Sequence, residues 1–272
     1  MEKFIMSRTI SLGQAHELIE ILRKNGFDSR WAQRIIVNKD FAKRTADFIQ
    51  RGGVELTSSQ KIAKEIMGPN FLGPEAIARY FDIVLTNEQF KQVSEVPFSK
   101  QTIEHCKNTH LLCLMADTDN LGNQITINYL CKLFLRTATF TFYHYPRERE
   151  CWFEHEEFAF RQTPQLGWCL IRKTITLRSR DKTFIEQKKL LSKWQYIERA
   201  VAYVYAIILN KLANGEELFS GNTAVNCADE TTLPRSRVVV GPYYLEGLKI
   251  DRSYDAQCAH HIGIAPAIKP EI

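Results

Sequence analysis

The stretch HCKNTHLLC, His105 to Cys113, sets two histidines and two cysteines within nine residues. Side chains of this kind could hold a metal ion or act as nucleophiles. Zinc ligands usually come in pairs spaced C-x2-4-C or H-x3-5-H, because a tight turn must aim both at one ion. Cys106 and Cys113 have six residues between them, too many for such a turn. One continuous helix would bring Cys106, His110 and Cys113 to one face at i, i+4 and i+7. Asn108 and Thr109 argue against that helix, and LLCLM suits a strand. The sequence therefore predicts a helix closing near Asn108 with His105 and Cys106 on it. A strand opens near His110, with Cys113 in the core and His110 at the strand mouth. DAQCAHHIG adds Cys258, His260 and His261, with Asp255 nearby. Cys106, His110, Cys258 and His260 would make four ligands if they met, but spacing alone does not join them, so no metal and no cofactor is expected.

Other motifs fail on particular residues. EHEEFAF lacks the second histidine of a zincin, since Ala159 stands four residues after His155. DTDNLGNQITIN begins like a calcium loop at Asp117, Asp119 and Gly122. Leu121 and Asn128 then occupy positions that need oxygen ligands, so a turn is expected. The chain has no G-x-x-x-x-G-K-[ST], G-x-G-x-x-G or G-x-S-x-G, which disfavours P-loop, dinucleotide-fold and α/β-hydrolase chemistry.

Two features point to binding. EAIARYFDIVLTNEQF resembles a helix-turn-helix, with Asp82 at the sharp turn. Its second helix would present Asn87, Gln89, Lys91 and Gln92, side chains able to read base edges. Second, residues 172–199 carry nine Lys or Arg against three acids, a local net of +6 in a chain of net +5. Arg172, Arg178, Arg180, Lys182 and Lys189 are the candidate contacts to an anionic ligand such as nucleic acid. Trp168, Trp194 and Tyr196 are candidate stacking partners for bases.

These residues need elements to carry them. With 272 residues, 44% apolar and 25% charged, the chain has the composition of an ordinary globular protein with length for a sizeable core. Capped amphipathic segments predict short helices at Ser11–Asn25, from Asp28, over 39–50, from Thr57, from Pro74 and from Thr86. After Pro97 the texture changes to strands at HLLCLMA, RTATFTFYHY, GWCLIRKTITLRS, SRVVVG, GLKID and IGIAP. Helices are expected around 127–135, 184–194 and on to Leu212. The class expected is α+β: a helical N-terminal region, 1–97, and an α+β domain, 98–272, whose mixed, largely antiparallel sheet packs with two longer helices. The longest apolar run, AVAYVYAIIL, covers about 15 Å as a helix, half a bilayer core. Together with seven scattered cysteines and no secretory signal at the N-terminus, that places the expected site of action in the cytoplasm, with no membrane partner.

The segments Val96-Pro97-Phe98, Thr109-His110, GWCLI with SRDKTFIEQ, and RVVVGPYYLEGLKI before IGIAP resemble a recurrent set of uncharacterised bacterial proteins. The resemblance covers most of the chain after about Asn70 and transfers no catalytic residue. It lies in the order of Trp168, Ser179, Lys182 and Gln187, then Arg237, Gly241 and Gly247. It implies a site on the C-terminal domain if the polar members converge. Ser179, Gln187 and Arg237 thus join the candidate ligand-binding residues. The leading expectation is a binding or regulatory module for an anionic ligand. The alternatives are an enzyme built on Ser179, Lys182, Gln187, Arg237 and a histidine, or a protein-interaction module using the N-terminal helices.

Overall fold

The computed structural model describes residues 10–50, 52–134, 141–143, 151–219, 222–244 and 247–271. Contacts between residues divide the chain into two units, Met1–Gln50 and Arg51–Ile272. The sequence suggested a division at 97/98, where helices give way to strands.

The first unit holds α1 (Leu12–Lys24), α2 (Ser29–Val37) and α3 (Lys39–Gln50). Ser11 and Gln14 close a capping box on α1, and the Asp28 carboxylate accepts from the first amides of α2. Trp31 of α2 stacks on Phe41 of α3 at 6.5 Å. None of the three helices has a fully buried residue.

The second unit begins with α4 (Ser58–Met67), β1 (Phe71–Leu72), α5 (Pro74–Phe81), α6 (Asn87–Gln92) and α7 (Lys100–Cys106). It continues through β2 (His110–Met115), α8 (Ile127–Phe134), α9 (Glu157–Phe160), β3 (Gly167–Arg172), α10 (Phe184–Lys189) and β4 (Gln195–Tyr196). Then come α11 (Ala200–Asn214), β5 (Ala224–Glu230), β6 (Ser236–Tyr244), β7 (Gly247–Tyr254), β8 (Ile262–Gly263) and β9 (Ala267–Ile268). One sheet runs β1-β2-β3-β9-β4 and the other β7-β6-β5-β8. Only β1/β2 and β5/β8 pair parallel among these strands, so the class is α+β with two mixed sheets, where a single sheet was expected.

α11 explains the apolar run. It is buried continuously from Ala200 to Asn210 and touches β1 and β2 of one sheet and β5 and β6 of the other. A helix apolar all round belongs in such a position, with no face left for water. Gly215 ends it in a left-handed cap. Among the described residues no helix is long and apolar enough to cross a membrane.

Two expectations need correction. The helix expected over 184–194 stops at Lys189, because Ser192 and Gln195 turn the chain toward the edge strand β4. β5, AVNCADE, went unrecognised, since Asn, Cys, Ala and Asp are poor strand signals although five of its seven residues are buried. RTATFTFYHY lies mostly outside the described residues; within it Phe142 makes a parallel bridge to Leu248.

Candidate functional site

The basic segment is positioned by a buried polar cluster. Ser179, fully buried, donates from Oγ to the Thr176 carbonyl at 2.5 Å and accepts the Ile264 amide at 3.0 Å. The strand passes so close that a Cβ on Gly263 would stand 2.4 Å from that oxygen. Gln187, 1% exposed, donates to the carbonyls of Ser179 (2.9 Å) and Lys182 (3.2 Å) and accepts from Asn226 Nδ2 at 2.8 Å. Arg237 lies 4.0 Å over the Phe184 ring, with ion pairs to Asp255 at 2.8 Å and Glu230 at 2.9 Å. Ser179, Gln187 and Arg237 therefore do gather on one side of the second sheet. Their polar groups are held by main chain and by each other's neighbours, so they anchor the loop and α10. Trp168 stands apart, buried, with its indole donating to the Val93 carbonyl.

α10 forms because Thr183 and Glu186 make a capping box and because Phe184 and Gln187 bury one face. The opposite face carries Ile185, Glu186, Lys188 and Lys189, all exposed. Hydrogen bonds from Thr183 hold the Glu186 carboxyl below the usual carboxylate range, with Lys182 and Lys189 adding to the effect. The turn after α10 brings Lys193 to 4.7 Å above the ring of Trp194, which is 57% exposed. Lys269 pins that turn through its amide to the Trp194 carbonyl and its ammonium to the Lys193 carbonyl. Among the described residues Lys182, Lys188, Lys189 and Lys193 make no ion pair within 4 Å.

The other basic residues go elsewhere. Arg178 is exposed on the turn before the loop. Arg180 reaches His260 Nε2 at 3.4 Å, and His260 Nδ1 meets Asp181 at 2.8 Å. Arg172 ends β3 opposite His110, and Lys173 donates to Asn70 Oδ1 at 3.0 Å. Tyr196 is half-buried and donates to Glu198 Oε1 at 2.5 Å, which also receives the Cys169 thiol at 3.4 Å. That Tyr196–Glu198–Cys169 group escaped sequence reading: its members lie on β3, β4 and the entry to α11, and no linear motif links them.

HCKNTHLLC divides as its residues suggest. α7 closes at Cys106, β2 opens at His110, and Cys113 is fully buried. His110 is 4% exposed; its Nδ1 lies 2.8 Å from Thr109 Oγ1, and its Nε2 has no partner among the described residues. Burial, then Arg172 and His105, pushes its pKa down to about 4. Burial likewise pushes the Cys113 and Cys169 thiols up, which keeps them protonated and poor nucleophiles. No group of three or more His, Cys, Asp or Glu among the described residues is placed to hold a metal, so Cys106, His110, Cys258 and His260 do not assemble. DTDNLGNQ is a turn closed by the Asp119 carboxylate on Leu121 and Asn123.

α5 and α6 have the order of a helix-turn-helix, and Asp82 is left-handed at φ 55° where the turn is sharpest. α6, however, is six residues long, and the Gln89 side-chain oxygen is held by the Thr86 amide in a capping box. Asn87, Lys91 and Gln92 are exposed beside it. A helix of about 9 Å offers little length to lie in a major groove. No family model matches the chain, and neither does any curated protein or solved structure.

Proposed function

We propose that the chain binds an anionic polymer, nucleic acid in single-stranded form, through the lysine surface of α10 and the turn that follows it. The observation that carries the reading is Trp194, largely exposed with Lys193 over its ring, on the turn that follows the exposed Lys188 and Lys189 of α10. An exposed indole among unpaired ammonium groups can stack a base while the cations meet phosphates. A single strand is favoured over a duplex because α6 is too short for groove reading. Seven cysteines without a disulfide fit a reducing cytoplasm.

The test is retention of single-stranded DNA or RNA against salt. Four phosphate contacts, at Lys182, Lys188, Lys189 and Lys193, give a log–log slope of about −2.8, a loss of roughly 50-fold in affinity between 50 and 200 mM salt. No retention at low salt ends the reading. A second reading, protein interaction through the N-terminal helices, is favoured by α1–α3, where Leu18, Ile19 and Ile36 stay exposed. Sedimentation of the full chain at rising concentration tests self-association, which Ile36→Lys should abolish.

A further inference from the structure

The face of the second sheet that carries α10 also holds a cleft of about 320 Å³. Its floor is apolar: Ala224, Val239 and Ile262 form a small buried cluster of their own. Its walls include Asn222, Tyr244, Gln257 and His261. Tyr244 donates to Asn222 Oδ1 at 3.3 Å and Ser253 donates to Gln257 Oε1 at 3.1 Å. Both amide oxygens are thereby fixed, while the two amide NH2 groups, Asn222 Nδ2 and Gln257 Nε2, have no protein partner among the described residues. Lys249 and Asp251, also in the wall, pair with each other at 2.5 Å. That pair cancels its own charge, and Arg252, also in the wall, carries its guanidinium over the Trp152 ring at 5.2 Å.

We infer that this cleft takes one planar, uncharged heterocycle with acceptor atoms on its edge, a nucleobase. An apolar floor, an aromatic wall and two oriented donors are what a base requires, and the volume is at the small end of ligand sites. The inference rests on the nucleic-acid reading, which it deepens. His261 lines the cleft, and the adjacent His260 contacts Arg180 and Asp181 at the start of the basic loop. A strand lying on the lysines thus has a path by which one unstacked base reaches the cleft.

Uncharged ribonucleosides separate the two ideas, because they do not depend on the lysines. Adenosine, cytidine, guanosine and uridine are titrated by calorimetry into the full chain and into an Asn222→Gly, Gln257→Ala variant. Glycine keeps the left-handed backbone that Asn222 adopts at φ 60°. Expected are binding of at least one nucleoside, its loss by about tenfold or more in the variant, and altered preference among homopolymer strands with an unchanged salt slope. Retention of polymer with no nucleoside bound, or with the same base preference in the variant, overturns the cleft and leaves the lysine surface standing. Failure of polymer to bind removes the lysine surface, and the nucleoside titration still decides the cleft.

Discussion

His110 makes the fold sensitive to mild acid. In an unfolded chain histidine titrates near its ordinary value of 6.5, whereas burial holds His110 near 4 in the fold. Between those values the unfolded chain binds a proton that the folded chain refuses, so stability falls as pH falls through the window. The contribution is complete above about pH 6.5 and gone below about pH 4. Going from pH 7.5 to 5.0, the loss from this one group is about 2 kcal/mol. Urea unfolding of the second unit at the two pH values measures it. His110→Asn removes the titration and keeps a polar atom near Thr109 Oγ1, where Nδ1 now sits at 2.8 Å. Carboxylates that titrate in the same range cancel in the comparison of protein and variant. The variant should be less stable at pH 7.5 yet lose about 2 kcal/mol less on acidification. A pH dependence equal to that of the parent chain, within about 0.5 kcal/mol, would refute the assignment of the buried neutral imidazole.

Gln187→Ala leaves two carbonyls and the Asn226 amide without their partner in a buried place. A destabilisation of about 3 kcal/mol or more is expected in denaturant unfolding, and a cost under about 1 kcal/mol would show that α10 is held otherwise. Lys188→Gln with Lys189→Gln should reduce the salt slope of strand binding by about 1.4 without changing thermal stability much. Glu186→Gln keeps the capping box while removing the acid among the lysines, so strand affinity at low salt should rise, as a filter-binding titration would show. In a chain whose other three tryptophans are replaced by phenylalanine, Trp194 fluorescence should be quenched by single strands and restored by salt.

Much of the local structure was legible, and the reasons are physical. Ser11, Thr57, Thr86 and Thr183 each precede a Gln or Glu at the third helical position, and each forms a capping box. The helix-to-strand change inside HCKNTHLLC follows from Asn108 and Thr109. The convergence of Ser179, Gln187 and Arg237 was suggested by their order, but their burial was not, because a glutamine buried against main-chain carbonyls has no periodic signature. β5 was missed for a related reason: Asn226 and Asp229 point to internal partners, Gln187 and the Ala200 amide, that are distant in sequence. The cleft was not legible either, since its walls come from β7, from Asn222 before β5, and from the segment after β7.

The charge of the basic segment also changes meaning once its three acids are located. Asp181 faces His260, and Glu198 turns to Tyr196, Cys169 and the Arg199 amide. Glu186 alone remains among the lysines, with one oxygen taken by Thr183. The polar cluster of Ser179, Gln187 and Arg237 fixes α10 with its cations outward. Arg172, Lys173 and Arg180 are meanwhile drawn to protein partners or neighbours. Of the nine cations six remain, Arg178, Lys182, Lys188, Lys189, Lys193 and Arg199, and Lys193 lies over the exposed Trp194 ring.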